Sequence, residues 1–326
     1  MTVNSELVKK LEALGPRKTF GYAFESVSKE RNDTVLMAAD VLNCVATDAF
    51  EKAHPDRVID TGIAEQNMIG IAAGLALSGK QVYATTFAPF LTMRAYEQIR
   101  TDVAYMKANV KLIGMDTGCA FGVLGYTHYG MEDIAIMRAI PNMTVISPCD
   151  GLELYKAVHA ASRLNGPVYI RLTGDKKTFK PVYEEDFDYE IGKSITLKDG
   201  SDAVIIAAGT MVREAMDAAT QLKDAGIEVA VVDMHTIKPI DEDAVAYWAH
   251  KVPLMITMEE HNRVGGLGGA VSECVAGIKG ATAQVVRLGM PDEFGIIADH
   301  DRMLDDFGLN AKKVSNTVLE MLKNIQ

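Results

Sequence analysis

Residues 61–77 read TGIAEQNMIGIAAGLAL, and this stretch predicts a closely packed helix with one acidic side chain in its first turn. Its two glycines, Gly70 and Gly74, lower the helix propensity, and its alanines add little side-chain bulk. Close tertiary packing therefore has to hold the segment. Because a helix that is apolar on nearly every side is typically buried, we expect this one to lie inside the protein.

Glu65 is the acidic residue of that first turn. An ionised carboxylate at the mouth of a buried helix is costly, and such costs are often maintained for function. The other interpretation is a first-turn acid that only complements the helix dipole. A capping box does not decide between them, because Thr61 lies four residues before Glu65 rather than three. On the residues alone, both interpretations stay open.

Composition places the chain among ordinary globular proteins. It has 326 residues, 48% hydrophobic and 24% charged, which allows two domains with separate cores. The net charge of −11 argues against binding to nucleic acid or anionic membranes. The four cysteines lack metal-ligand spacing, so we expect reduced thiols and no metal site. Without a signal-peptide pattern or a long apolar run, we expect a soluble cytoplasmic protein.

Short apolar runs alternate with helical segments in both halves of the chain. Runs at 34–39, 58–60, 81–86, 110–115, 144–146 and 168–171 predict one parallel sheet, and runs at 203–208, 228–233, 254–258 and 284–288 predict another. Between them, residues 175–202 are polar and turn-rich. We therefore predict an α/β fold of two consecutive three-layer α/β/α domains with mainly parallel sheets, at 1–185 and 201–326, joined by a linker at 186–200.

Several candidate site residues follow the ends of predicted strands. Asp40 directly follows the run at 34–39, where ligands bind in open α/β sheets. Phe87 and Phe90 follow the run at 81–86 and are either core aromatics or a platform for a flat ring. His128 lies in a glycine-rich loop, where catalytic groups are common, although a lone histidine is more often structural.

Phosphate-binding motifs are missing from the glycine-rich segments. Gly265–Gly269 fails the dinucleotide fingerprint because Val271 takes the place of its third glycine, so we interpret the segment as a tight turn before a helix. No acidic Gly-Asp-Gly segment that would hold Mg²⁺ and a diphosphate is present in the sequence. The sequence therefore predicts one half of a site.

Taken together, these motifs carry a family resemblance that spans nearly the whole chain. They are DTGIAEQNM at 60–68, TFAPF at 86–90, RAYEQ at 94–98, Thr127-His128, RAIPNM at 138–143 and EHNRVGGLGG at 260–269. The chain resembles the C-terminal half of transketolase and its thiamine-diphosphate relatives. The resemblance implies the C-terminal subunit of a split transketolase, with a pyrimidine-binding domain and a small C-terminal domain. It further implies two copies in an α2β2 heterotetramer with an N-terminal transketolase subunit, which would hold the diphosphate and Mg²⁺.

The resemblance also implies roles for individual residues. Glu65 would contact N1′ of the cofactor's aminopyrimidine, and His128 would hydrogen-bond a substrate oxygen or shuttle a proton. The remaining cofactor-binding set it implies is Phe90, Phe87, Asp40 and Ile63, and the remaining substrate set is Arg17, Arg94 and Arg171. The substrate would be a ketose donor and an aldose acceptor, either free sugars or sugar phosphates.

Four positions depart from the family pattern, all of them on the substrate side. Leu124 replaces an aspartate that reads a sugar hydroxyl, and Cys44, Met115 and Gly174 replace a serine, a histidine and an arginine that bind phosphate. Lys176 or Lys177 could take over that charge. Two alternatives therefore stay open: an activity like that of deoxyxylulose-phosphate synthase or a β-type chain of a 2-oxoacid dehydrogenase, and a non-enzymatic assembly subunit whose site has decayed.

Overall fold

The computed structural model describes residues 3–325. The helices are α1 (Ser5–Glu12), α2 (Pro16–Glu30), α3 (Asp48–Ala53), α4 (Glu65–Leu77), α5 (Tyr96–Gln98), α6 (Asp133–Ala139), α7 (Gly151–Arg163), α8 (Met211–Asp224), α9 (Glu242–Lys251), α10 (Leu267–Gly277), α11 (His300–Asp306) and α12 (Ala311–Ile325). The strands are β1 (Thr34–Ala38), β2 (Val58–Asp60), β3 (Gln81–Phe87), β4 (Val110–Thr117), β5 (Thr144–Ile146), β6 (Val168–Thr173), β7 (Ile195–Lys198), β8 (Ala203–Ala207), β9 (Val229–Asp233), β10 (Thr236–Lys238), β11 (Leu254–Asn262) and β12 (Gln284–Met290). Within residues 3–325, no helix is long and apolar enough to cross a membrane.

The first sheet has seven strands in the order β10-β5-β6-β4-β3-β1-β2. Its six strands from β5 to β2 run parallel, and β10 pairs with β5 in the antiparallel sense. Every residue of β1, β4, β5 and β6 is buried, as expected for parallel strands that are covered by helices on both faces. The predicted α/β class and mainly parallel sheets are confirmed.

The second sheet has five strands in the order β12-β11-β8-β9-β7, and only its edge strand β7 is antiparallel. Two short strands depart from the domain division expected at 186–200. Strand β7 lies inside the predicted linker and pairs with β9, whereas β10 comes from the second half of the chain and extends the first sheet. Strands of three or four residues are too short to give a periodic signal in the sequence.

The segment after β3 differs from the single helix expected at 91–106. It is π-helical at Phe90–Arg94 and Ile99–Tyr105, with the short helix α5 between them. A π-helical turn closes with i→i+5 hydrogen bonds, so side chains four residues apart lie nearly above one another. Phe90 and Arg94 have this spacing, and the guanidinium carbon of Arg94 lies 4.5 Å from the centre of the Phe90 ring.

Helix α4 is only half buried, so the expectation of a helix enclosed on nearly every side is wrong. Its buried residues form one face: Glu65, Met68, Ile69, Ala72 and Ala73. The opposite face carries the two glycines, and a Cβ atom added to either would meet no other atom within 4 Å. An all-apolar composition shows that a helix has little to lose from burial, but it does not show which faces the same chain covers.

Candidate active site

The candidate site lies at the carboxyl edge of the first sheet. Strands β1, β2, β3 and β4 are neighbours or next neighbours in the sheet and run parallel, so their carboxyl ends meet at one edge. Asp40 follows β1, and Phe87 ends β3. The loop after β2 leads directly into α4, which places Glu65 at the same edge. The structure therefore brings together side chains that are far apart in the sequence.

Glu65 is paired with Arg94. The Glu65 side chain is 3% exposed, and its Oε1 accepts a hydrogen bond of 2.7 Å from Nη1 of Arg94, whose side chain is 48% exposed. Because Arg94 also covers the face of Phe90, its guanidinium links the carboxylate to the aromatic side chains. The resemblance had implied a substrate role for Arg94, but the structure places it beside the residue implied to contact the cofactor.

Phe87, Phe90 and His128 form a compact aromatic group. Their ring centres lie 6.0 Å apart for the two phenylalanines, 5.6 Å for Phe87 and His128, and 5.4 Å for Phe90 and His128, all edge-to-face. Phe121 extends the group, with its ring centre 5.6 Å from that of Phe87 and 6.4 Å from that of His128. The sequence analysis missed Phe121, and its only signal was an aromatic side chain inside the same glycine-rich loop as His128.

The loop that carries His128 closes on itself. The Gly118 N–H donates to the Gly130 carbonyl at 2.8 Å, so a bridge joins the two ends of the loop. Nδ1 of His128 lies 2.8 Å from the hydroxyl oxygen of Thr127. Gly118 has a φ of +62°, and a Cβ there would lie 2.4 Å from Oε1 of Glu260, so glycine is required.

Arg17 lies at the far end of the aromatic group and is paired with Asp116. Its Nε donates to Oδ1 of Asp116 at 3.2 Å, and its Nη2 donates to the other carboxylate oxygen. The guanidinium carbon lies 4.9 Å from the centre of the Phe121 ring and 5.8 Å from that of Phe87. Burial raises the pKa of Asp116, and the contact with Arg17 offsets part of that rise.

A cavity of about 330 Å³ opens beside Arg17. Lys18, Lys176, Asp175 and Gly174 line it together with Arg17 and Asp116. The cavity therefore combines three cationic side chains with two acidic ones. Lys176 is one of the two lysines expected to replace the missing arginine of the family pattern, and it lies where that replacement would act.

Arg171 has a different position from the one expected for a substrate ligand. Its side chain is 2% exposed and forms an ion pair with the fully buried Asp133, with Nε 2.8 Å from Oδ2. The same guanidinium donates from Nη2 to the carbonyls of Gly130 and Glu260, at 2.9 and 2.8 Å. Its donors thus bind groups in the protein interior, and we remove Arg171 from the candidate substrate set.

Asp40 and Ile63 lie on the exposed rim of the site. The Asp40 N–H donates to Oδ1 of Asp60 at 3.0 Å, and the Gly62 N–H donates to the same oxygen at 2.8 Å. Asp60 therefore fixes the two strand ends relative to each other. The Ile63 side chain is 77% exposed, and Leu124, which replaces the expected aspartate, is 50% exposed.

Within residues 3–325, one group of side chains has the donor types and spacing of a metal site: Cys149, Glu153 and Asp233. All three are buried, at the start of α7 and the end of β9. Burial, together with the charge of Asp233, raises the pKa of Glu153 well above its ordinary value, and Tyr183 donates to Oδ2 of Asp233 at 2.7 Å. We interpret the group as an internal hydrogen-bonded cluster rather than a binding site for a diphosphate.

Comparisons with known proteins agree with this geometry. The family model for the transketolase pyrimidine-binding domain matches residues 12–176, and the model for the transketolase C-terminal domain matches residues 192–314. This chain belongs to the transketolase family. One of the two subunits of an apulose-4-phosphate transketolase from Phocaeicola vulgatus is 37% identical over 308 residues, covering 94% of this chain and 97% of that protein.

Other members of the transketolase family extend the comparison. A 6-deoxy-6-sulfo-D-fructose transketolase subunit from a Clostridium species is 36% identical over 319 residues, 98% of each protein. A solved structure of a split-gene transketolase, an inactive β4 tetramer, has a TM-score of 0.85 and 35% identity, covering 96% of this chain and all of that one. Longer 1-deoxy-D-xylulose-5-phosphate synthases also match, and the chain spans about half of their length. The chain is a transketolase-type transferase subunit of the split kind, in a family that depends on thiamine diphosphate.

Proposed function

We propose that this chain is the pyrimidine-binding subunit of a two-chain transketolase that moves a two-carbon ketol unit from a ketose to an aldose. The observation that carries the proposal is the buried carboxylate of Glu65 at the same sheet edge as Phe90 and His128. An N-terminal transketolase subunit completes the site. We further propose that two copies of each chain assemble as an α2β2 heterotetramer.

Side chains at this edge fit the aminopyrimidine end of thiamine diphosphate. Glu65 offers a carboxyl group to a ring nitrogen, and Phe90 and Phe87 offer apolar faces and edges to a flat ring. Because the metal-type group within residues 3–325 is an internal cluster, we assign the diphosphate and Mg²⁺ to the partner subunit. When bound, thiamine diphosphate supplies the nucleophilic carbon that cleaves the ketose C–C bond and carries the two-carbon unit.

Each side chain of the site then has a defined task. Glu65 holds a proton between its carboxyl group and the pyrimidine nitrogen, and Arg94 fixes the orientation of that carboxyl group. Since Thr127 engages Nδ1 of His128, Nε2 is the ring nitrogen that binds or protonates a substrate oxygen. Phe87 and Phe121 border the sugar and exclude water.

The cavity beside Arg17 receives the tail of the sugar. Its three cationic side chains, Arg17, Lys18 and Lys176, favour a tail that carries an anionic group. Two relatives support this, because their names specify a phosphorylated and a sulfonated sugar. We therefore propose a ketose with a phosphate or sulfonate tail as the donor.

The test is reconstitution with the partner subunit and comparison of wild type with Glu65→Gln. We expect ketol transfer to fall on the order of 10²-fold or more, because the variant cannot exchange a proton with the pyrimidine nitrogen. Transfer within a few-fold of wild type would contradict the assignment. Pyruvate decarboxylation without ketose turnover would instead support a synthase-like or 2-oxoacid dehydrogenase β-type activity. A partnered complex without any cofactor-dependent change in activity or thermal stability would support an assembly role.

A further inference from the structure

The loop at 119–129 carries Phe121 and His128, and the second half of the chain holds it at its base. Glu260 lies on β11, and its side chain is 1% exposed. Its Oε1 accepts a hydrogen bond of 2.7 Å from the N–H of Cys119, the first residue of the loop. A side chain from the second sheet thus fixes the point where the loop leaves the first sheet.

The backbone of the same residue reaches the other end of the loop. The Glu260 carbonyl accepts from Nη2 of Arg171, and this nitrogen also donates to the carbonyl of Gly130, just after the loop. Glu260 therefore contacts the start of the loop directly and its end through Arg171. The bridge between Gly118 and Gly130 closes the loop between these two contacts.

Two further groups hold the carboxylate itself in place. Oε2 of Glu260 accepts from the hydroxyl of Thr210 at 2.6 Å and lies 3.0 Å from Nε2 of His300. Burial would raise the pKa of Glu260, but His300 and the two other donors hold it below its ordinary value. The carboxylate is therefore ionised and fully bonded, which makes it a rigid anchor.

The tip of the loop is attached to the second half of the chain as well. The hydroxyl of Tyr129 donates to the carbonyl of Ile296 at 2.7 Å, and the hydroxyl of Tyr126 donates to the carbonyl of Gly295. Base and tip thus both depend on residues beyond 201, whereas Glu65 and Phe90 are outside the loop.

We propose that Glu260 is a positioning residue that fixes the loop of His128 and Phe121, so that the second domain takes part in substrate recognition. The catalytic part of this inference rests on the proposed transketolase function. The structural part concerns only the order of the loop at 119–129. Each part has its own measurement.

The structural part is tested by amide hydrogen exchange of the full chain, comparing Glu260→Ala with Glu259→Ala. Glu259 is the matched control, because it is equally buried and adjacent, but its oxygens accept from the N–H groups of Leu267 and Gly268 inside the second domain. We expect exchange at 119–129 to be about tenfold faster or more in Glu260→Ala, because an N–H loses its partner there. Exchange at 65–77 should stay unchanged in both variants.

Equal protection of 119–129 in the two variants would overturn the proposal. If Glu260→Ala does not fold, Glu260→Asp replaces it, because it keeps the charge but is one methylene too short to reach Cys119 and Thr210 together. Glu260→Gln is the rescue variant. Its amide oxygen still accepts from Cys119, so it should retain most of the protection of the loop.

The catalytic part is tested in the reconstituted pair. Glu260→Ala should raise KM for the ketose donor, while thermal stabilisation by thiamine diphosphate and Mg²⁺ stays as in wild type. If Glu260 acts through His128, the double variant with His128→Ala should be no slower than His128→Ala alone, within about threefold. Losses that multiply in the double variant would contradict the role. A wild-type pair without ketol transfer would contradict the proposed function, and the exchange measurement would then decide the positioning role alone.

Discussion

Nη1 of Arg94 lies 2.7 Å from Oε1 of Glu65, so a buried carboxylate is paired with a cation whose own side chain is half exposed. The two partners are therefore not equivalent. Loss of the arginine leaves a charge in the interior, whereas loss of the acid leaves a cation that water can reach.

We predict that Arg94→Ala lowers the free energy of unfolding by about 1–2 kcal/mol, whereas Glu65→Gln changes it by less than about 0.5 kcal/mol. Adding Glu65→Gln to Arg94→Ala should recover most of the loss, because the interior then holds no unpaired charge. Urea unfolding of the three variants measures this. If the two single variants are equally unstable, the pair does not have the asymmetry that its exposure indicates.

The contact between Arg17 and Asp116 sets the charge of the tail cavity. Asp116→Asn should lower KM for an anionic ketose about threefold, because Arg17 then acts on the substrate with its full charge. Asp175→Asn is the matched control, since Asp175 lines the same cavity without being the ion-pair partner of Arg17. A neutral ketose should show no change in either variant. An equal response to neutral and anionic donors would contradict this account.

His300 and Glu260 give the chain a pH-dependent ion pair. Burial would lower the pKa of His300, but the Glu260 carboxylate raises it above the ordinary value of 6.5. The contribution of His300 to stability is therefore complete below pH 6.5 and is lost as the pH rises through its folded-state pKa. Glu260, whose pKa is lowered from 4.5, contributes above that pH and loses its contribution as the pH falls through its folded-state pKa.

We therefore expect the difference in unfolding free energy between wild type and His300→Gln to be largest between about pH 4.5 and 6.5. It should shrink as the pH rises beyond that range. Urea unfolding of both proteins across a pH series measures it, with His250→Gln as the control because that histidine is exposed. A difference that is constant with pH would show that His300 is uncharged in the folded protein.

Arg171 should behave as a core residue. Replacing it with Met leaves the carboxylate of Asp133 buried without its cation, which should cost about 3–5 kcal/mol of unfolding free energy. The exposed Arg302→Met serves as the control and should cost less than about 1 kcal/mol. An Arg171→Met protein that keeps wild-type stability and loses only its affinity for anionic donors would restore Arg171 to the substrate set.

The sequence predicted best those features that depend on one strand and the residues after it. Every residue of β4 is buried, so its apolar run is visible in the sequence at 110–115. Likewise, the positions of Phe87 and Phe90 follow from the end of β3 and the start of the next segment. Parallel topology then brings strand ends to one edge, which is why these side chains and Glu65 were expected together.

Long-range pairs were not predictable in this way. Arg17 and Asp116 are 99 residues apart, and Arg171 and Asp133 are 38 apart, so no local pattern connects them. A charged residue at a strand end looks the same in the sequence whether it faces a ligand or a buried acid. Helix α4 shows the converse limit, because its composition was read correctly as apolar but its uncovered face depends on what the rest of the chain leaves open.

Strand β10 has a consequence for any attempt to divide this protein. It leaves the second half of the chain to cover the edge of β5, so a fragment that ends near residue 200 would expose the unpaired N–H and C=O groups of that strand. The complementary fragment would carry β10 without a sheet to join. Limited proteolysis at 186–200 should therefore give two pieces that stay associated, because the unit that folds is the whole chain and not either half.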